Sequence, residues 1–401
     1  MIQTEFCGKI LPLLGFGCMR FPLLEGGSPA DIDVAQVEEM IRYAMDHGVN
    51  YFDTAYPYHN GQSETVLGKL LSVYPRESYF LADKFPGHQI SKNYDPAEVF
   101  EHQLKKCNTE YFDFYLLHNV FENSLPVYTN PKWGIMDYFI EQKRLGRIRH
   151  LGFSSHGSIE VMGKFLDLYG EHLEFCQIQL NYLDWTLQDA KAKVEFLRDR
   201  GVAVWVMEPV RGGKLANLSE TAKEKLTAHR PDHSPAAWAF RFLQDIPEVK
   251  MILSGMSNFD QVKENIDTFE KKAPLTKEET ALLFDIAETL KNSVPCTACG
   301  YCVKGCPMEL DIPFLLSIHN DLQVVKTFNT SMRIEFLPEE KKPHNCIGCG
   351  ACSAVCPQKI KIPETLKKLD DIMKEMPSWA KISKEREEIA IRERKEREKK
   401  Q

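Results

Sequence analysis

The 401-residue sequence has no long apolar run. Its most apolar N-terminal stretch, Ile10 to Met19, is short and broken by glycines, too little to span a bilayer. A basic leader with a small-residue cleavage site is missing as well, so the expectation is a cytoplasmic protein, neither secreted nor membrane-spanning. Neither sign of charge dominates: 50 Lys and Arg stand against 57 Asp and Glu, a net charge of −7. That balance gives no reason to expect nucleic acid or a membrane surface as partner. The fingerprint G-x-G-x-x-G is absent too, since Gly15-Phe-Gly17 lacks the rest of it. No flavin motif is visible. The length allows two domains, one of them large.

What the chain does contain, from about residue 14 to residue 270, is one repeated unit: a short β-rich apolar run, then an amphipathic stretch of helical period. The runs are Leu14–Met19, Asn50–Thr54, Tyr79–Lys84, Phe112–His118, Ile148–Ser154, Phe175–Asn181, Ala203–Glu208 and Val249–Ser254. Helices are expected over stretches such as Val34–His47, Glu64–Leu71, Ala97–Cys107, Asp137–Leu145 and Phe259–Phe269, several preceded by a Ser or Asp able to cap them. Eight strands alternating with helices at this length predict an α/β fold, a (β/α)8 TIM barrel, over residues 1–291. A further helix, Lys277–Leu290, falls outside the repeat, and Glu5–Leu13 predicts a hairpin turning at Cys-Gly under the barrel.

Near Asn292 the pattern stops. Residues 292–378 form a second, small, mostly helical domain, and 379–401 are a charged tail that reads as a solvated helix or a frayed extension. Of the 12 cysteines, Cys7, Cys18, Cys107 and Cys176 are scattered singly and suit small buried hydrophobes. The other eight form two runs of one spacing. The first is Cys296-Thr-Ala-Cys299-Gly-Tyr-Cys302-Val-Lys-Gly-Cys306-Pro307. The second is Cys346-Ile-Gly-Cys349-Gly-Ala-Cys352-Ser-Ala-Val-Cys356-Pro357.

Both match C-x2-C-x2-C-x3-C-P, in which three closely spaced thiolates wrap one cubane and the fourth serves the other cluster. The expected sets are therefore Cys296, Cys299, Cys302 and Cys356 on one [4Fe-4S] cluster, and Cys346, Cys349, Cys352 and Cys306 on a second. Zinc is the rival, but a tetrahedral zinc site uses two pairs of ligands, not an evenly spaced triplet plus a distant fourth. This segment resembles a two-cluster ferredoxin domain with a long connector, helical around Ile312–Phe328.

In a barrel of this kind chemistry sits where strands end. Asp53, Tyr56, Tyr58, Lys84, His118, Ser154, Gln177, Asn181, Glu208 and Arg211 fall there. Asp, Tyr, Lys and His make a workable proton-transfer set. A lysine beside the phenol favours phenolate and lowers its pKa from the usual ~10. Such a tyrosine gives a proton to a carbonyl oxygen while His orients the substrate.

The stretch Asn50-Tyr-Phe-Asp53-Thr-Ala-Tyr-Pro-Tyr58, then Asn60-Gly61-Gln-Ser63-Glu64 and Leu67-Gly68, resembles the aldo-keto reductase signature. So do Leu81-Ala-Asp-Lys84, Asp113-Phe-Tyr-Leu-Leu-His118, Gly146-Arg-Ile-Arg-His-Leu-Gly-Phe-Ser-Ser155 and Gln177-Ile-Gln-Leu-Asn181, in family order over about residues 10–270. The resemblance implies an NAD(P)-dependent enzyme interconverting a small carbonyl compound and an alcohol. Its tetrad is Asp53, Tyr58, Lys84 and His118, with Tyr58 as acid/base and Tyr56 a decoy. It also implies that Ser154 and Gln177 hold the nicotinamide amide, that the loop with Arg211 and Gly212 covers the pyrophosphate, and that Glu264 and Asn265 face adenine.

Three departures stand out. Met207 replaces the aromatic residue that stacks on nicotinamide, Ser155 replaces an Asn, and Ser254 to Gln261 has no Lys or Arg to grip a 2′-phosphate, with only Lys263 nearby. NADP and NAD are thus both open. Hydride carries two electrons and each cluster takes one. Three roles follow: a carbonyl reductase with structural or regulatory clusters; clusters that pass electrons between a redox partner such as ferredoxin and the barrel; or an electron carrier or redox sensor whose barrel binds nucleotide without ordinary carbonyl reduction.

Overall fold

The computed structural model describes residues 1–89, 94–290, 293–324 and 328–376. Contacts divide the chain into two units, Met1–Glu288 and Thr289–Gln401.

The first unit opens with an antiparallel hairpin, β1 (Gln3–Phe6) and β2 (Lys9–Pro12). Its turn is Cys7 and Gly8, both left-handed at φ 48° and 73°, the geometry that a two-residue hairpin with native twist demands. Eight parallel strands follow: β3 (Leu14–Gly17), β4 (Tyr51–Asp53), β5 (Phe80–Phe85), β6 (Phe112–Leu117), β7 (Ile148–Ser155), β8 (Phe175–Gln179), β9 (Ala203–Met207) and β10 (Val249–Ser254). They close in sequence order, with β10 returning to β3, and complete the expected barrel.

Helices cross between strands, and side-chain caps start several of them. Asp33, Asp95, Ser158 and Ser234 each accept a hydrogen bond from a backbone N–H one turn on. Apolar stripes face the strands, as in Val34–Asp46, which buries Val37, Met40, Ile41 and Ala44. Lys277–Leu290 stands outside the repeat as expected.

The barrel floor is aromatic. Phe6 of the hairpin sits edge-on to Trp205, with ring centroids 4.7 Å apart, and packs on Phe114 and Phe175. Tyr51, Leu116, Met251 and Leu253 complete this cluster, and Trp205 Nε1 donates to Tyr51 Oη at 3.1 Å. With the lower end filled, polar groups are left to the upper end, where the strands finish.

The second unit is helical: Ile312–Val324, Phe328–Glu335 and Ile362–Glu375. Leu310, Leu315, Leu316, Ile318, Leu322, Ile360, Leu366 and Leu369 form its core beside the cysteines. Its backbone repeats with the cysteine runs. Ala298 and Gly348 are left-handed at φ 54° and 69°, Gly300 and Gly350 both at 77°, and Glu309 and Lys359 at 50° and 52°. In each run the fourth cysteine's carbonyl accepts from the residue three positions on, at 3.0 Å, before an Ile-Pro pair starts a helix. The tail Lys381–Gln401 lies outside the described residues.

Candidate active site and iron–sulfur module

Asp53 ends β4, Lys84 lies near the end of β5, and His118 follows β6. Tyr58 lies in the loop after β4, just before His59 and Asn60, which turn the chain at φ 52° and 54°. Lys84 Nζ donates to Asp53 Oδ1 at 2.5 Å, to the Thr54 carbonyl at 2.7 Å and to Tyr58 Oη at 3.4 Å. The His118 ring stands edge-on to Tyr58 with centroids 6.0 Å apart. Tyr56 instead packs beside His102 and Lys106 of the helix Pro96–Lys106.

The flanking motif residues act behind this group. Gln103 Nε2 donates to Glu64 Oε1 at 3.1 Å and to the Lys84 carbonyl at 3.0 Å, while Tyr115 Oη donates to Gln103 Oε1. Glu64 also pairs with Lys106. A Cβ on Gly68 would lie 2.5 Å from the Cys107 carbonyl carbon, so only glycine lets this helix approach Pro96–Lys106 so closely.

Electrostatically the site differs from the expectation for Tyr58. Burial, reinforced by the nearby Asp53 carboxylate, pushes the phenol well above its usual range. Burial and Asp53 outweigh the adjacent Lys84 ammonium, and Tyr58 is held protonated. Burial pushes the Asp53 carboxyl up while Lys84 opposes it. Burial, with His88, Lys84 and His156 as neighbours, keeps His118 well below the imidazole range and therefore neutral.

Two further histidines, unmarked in the sequence reading, join the site. His88 follows β5 and its ring lies 4.4 Å from that of His118; His156 follows β7. Their signal was only positional: His88 stands three residues past the end of β5 and His156 directly past the end of β7.

Of the residues expected at nucleotide, Ser154 Oγ accepts from the Asn119 N–H at 2.8 Å, and Gln177 Oε1 is buried without a partner among the described residues. Ser155 pins the neighbouring loop, donating to the Val120 carbonyl at 2.7 Å. Arg211 is turned inward: its Nε donates to both Asp184 carboxylate oxygens, at 3.1 and 3.0 Å, and only 1% of the side chain is exposed. Gln179 and Asn181 also donate to Asp184. Arg211 thus anchors its loop, whose next residues Gly212 and Gly213 are left-handed. Asn265 Nδ2 donates to Ser254 Oγ at 3.0 Å, while Glu264 is exposed. Met207 ends β9. Lys263 is paired with Asp260 at 2.8 Å.

In the second unit Cys296, Cys299, Cys302 and Cys356 line one pocket, beside Leu316, Ile360 and Ile362. Cys306, Cys346, Cys349 and Cys352 line another, beside Leu310, Ile312 and Leu366. Four thiols around an apolar chamber suit an iron–sulfur cubane, a soft, bulky group that a zinc tetrahedron does not need. The twelve cysteines form no disulfide.

Fold and donor sets define the class: a (β/α)8 barrel protein with an appended iron–sulfur domain. The chain belongs to the aldo/keto reductase family, whose model matches residues 13–288, and residues 295–360 match the 4Fe-4S dicluster domain. Similar proteins include the NADH-specific methylglyoxal reductase of Escherichia coli, 28% identical over 210 residues, which are 47% of this chain and 62% of that one. The L-galactose dehydrogenase of Arabidopsis thaliana is 25% identical over 319 residues, 71% and 93% of the two chains. The match to probable aldo-keto reductase 1 of Glycine max also spans 62% of that relative's length.

Among solved structures, the holo form of an aldo-keto reductase from Bacillus halodurans superposes with TM-score 0.57 at 24% identity, covering 71% of this chain and 96% of its own. One from Klebsiella pneumoniae, in complex with NADP and acetate, gives 0.56 at 19%, covering 69% and 92%. These likenesses show the fold. Among the described residues no helix is long and apolar enough to cross a membrane.

Proposed function

We propose that the barrel interconverts a small aldehyde or ketone and the corresponding alcohol with a nicotinamide dinucleotide. The observation that carries this reading is the buried Lys84 ammonium, bonded at once to Asp53 and Tyr58 beside a neutral His118. A bound reduced nicotinamide supplies hydride. Tyr58, held protonated, gives its proton to the carbonyl oxygen, and the Lys84–Asp53 pair fixes the phenol and compensates the phenolate left behind. His118, uncharged, orients the carbonyl by a hydrogen bond.

Ser154 and Gln177 hold the carboxamide; the unpartnered Gln177 Oε1 suits an amide N–H. The Arg211–Gly212 loop meets the pyrophosphate through its backbone, because the Arg211 guanidinium is engaged by Asp184. Glu264 and Asn265 border the adenine. With no Lys or Arg from Ser254 to Gln261 and Lys263 paired at the surface with Asp260, NADH is favoured over NADPH; the NADH-specific relative in Escherichia coli supports that preference. Strong NADPH preference, or equal turnover with both, would overturn it.

The two four-cysteine sets hold one [4Fe-4S] cluster each, in a role separate from hydride transfer. Anaerobic assays of an aldehyde and ketone panel with each nucleotide test the whole reading. Turnover should fall about 10²- to 10⁴-fold in Tyr58→Phe, the range for losing a general acid. Stopped-flow mixing of NAD(P)H with the oxidised protein should leave the cluster absorbance unchanged; bleaching would instead support electron exchange between nucleotide and clusters. One feature favours that second role, with a ferredoxin-like partner: Cys349 is exposed and its neighbour Ile347 is 63% exposed.

A further inference from the structure

The four cysteines outside the paired runs do not share one environment. Cys18, Cys107 and Cys176 are buried, as small apolar residues are, whereas Cys7 is exposed. It holds the first position of the β1–β2 turn at φ 48°, where Asn, Asp or Gly is ordinary and the backbone gives no reason for cysteine. Two barrel elements bring ligand-type side chains to it. His150 lies early in β7 and Glu174 directly before β8, at the end of the barrel opposite the tetrad. The aromatic floor orients the imidazole, which stacks on Phe114 at 5.0 Å and stands edge-on to Phe6 at 5.2 Å. Glu174 is fixed by backbone bonds to Leu151 and Ala203, and its Oε2 accepts from the Leu151 N–H at 3.3 Å. Lys143 Nζ lies 3.2 Å from Oε2 and donates to the His172 carbonyl. Oε1 is left toward Cys7, 4.0 Å from its Sγ, and His150 Nδ1 lies 3.2 Å from Oε2. One ligand atom from each of the three residues lies within 4.8 Å of the others.

We propose that Cys7, His150 and Glu174 form a zinc site beneath the barrel, with three protein ligands and a fourth position open to water. A thiolate, an imidazole and a carboxylate select a borderline divalent ion, whereas magnesium and calcium take oxygen ligands throughout. In a zinc tetrahedron a nitrogen and an oxygen ligand stand about 3.3 Å apart, and a sulfur and an oxygen about 3.5 Å. The separations around Glu174 are close to these, and a small inward turn of the exposed thiol completes the set. Thiolate and carboxylate supply the two negative charges that the ion needs. Lys143, the cation facing the set, stays on the Oε2 side and leaves Oε1 to the metal. The site uses none of the eight cluster cysteines. Its ion clips the hairpin plug to β7 and β8, closing long stretches of chain, the arrangement in which a metal stabilises most.

The test uses the full-length, cluster-loaded protein under anaerobic conditions, with equimolar ZnCl2 and then iodoacetamide, and reads alkylation of Cys7 on its own peptide by mass spectrometry. Zinc should slow that alkylation by about tenfold or more, because a coordinated thiolate is a poor nucleophile, and EDTA should restore it. Protection should vanish in His150→Phe, which keeps the ring packing, and in Glu174→Gln. After gel filtration Cys7→Ser should retain about one zinc fewer per chain than the wild type. Zinc should also raise the urea midpoint of the wild type but not of Cys7→Ser. Alkylation that zinc does not slow, protection that survives in either ligand variant, or equal zinc content in Cys7→Ser overturns the site. A midpoint that zinc leaves unchanged, or shifts equally in both proteins, overturns its role as a clip.

Discussion

Lys84 carries its charge where water does not reach, and Asp53 is nearly as enclosed. Removing one partner of such a pair strands the other. Lys84→Met should therefore lower stability by about 3–5 kcal/mol, read as a reduced urea midpoint. Replacing both, Asp53→Asn with Lys84→Met, should recover most of that loss without restoring turnover, separating the pair's electrostatic cost from its chemical use. That Asp53, Tyr58, Lys84 and His118 come together was legible because the D-T-A-x-x-Y spacing picks Tyr58 over Tyr56. The protonation of Tyr58 was not, since its burial depends on side chains distant in sequence. The buried, neutral His88 and His156 have a pH consequence with a definite sign. Their folded pKa values lie below the ordinary 6.5, so the unfolded chain binds more protons beneath that pH and stability falls as pH drops through it. The urea midpoint should decline between pH 7 and pH 5, and decline less in His156→Gln, whose side chain cannot titrate.

At the scale of elements, the eight strands were legible from short β-rich runs alternating with helical periods, and their positions hold. Their ends were less so. The runs through Met19, Thr54, His118, Asn181 and Glu208 continue past the ladders, because the chain bends there to present side chains to the site. The Arg211–Asp184 pair was invisible for a related reason: its partners lie 27 residues apart, on loops brought together only by barrel closure. The hairpin plug is the element most open to test. Phe6 is only 7% exposed and touches three aromatic rings of the barrel floor. Phe6→Ala should cost about 3–5 kcal/mol in barrel stability, the range for emptying an aromatic site. Because the plug lies at the end opposite the tetrad, KM and kcat should stay near wild type below the lowered unfolding midpoint. A loss of turnover without loss of stability would contradict that division between floor and mouth.

For the whole molecule, the second unit is the sharper test because its repeat is written both in sequence and in backbone. Matching left-handed residues and matching Ile-Pro helix starts make two half-modules. In each cavity the fourth cysteine comes from the other half, Cys356 with the first triplet and Cys306 with the second. Neither half then completes a ligand set alone, so cluster loading and folding of the module are coupled. A variant with Cys346, Cys349 and Cys352 all changed to Ser should keep about four irons per chain, on the remaining set. Adding Cys356→Ser should remove them or leave a labile three-thiolate cluster, whereas adding Cys306→Ser should change neither iron content nor the cluster's EPR signal. The reverse result would mean that each run closes on its own fourth cysteine, and the two half-modules would then be independent metal sites.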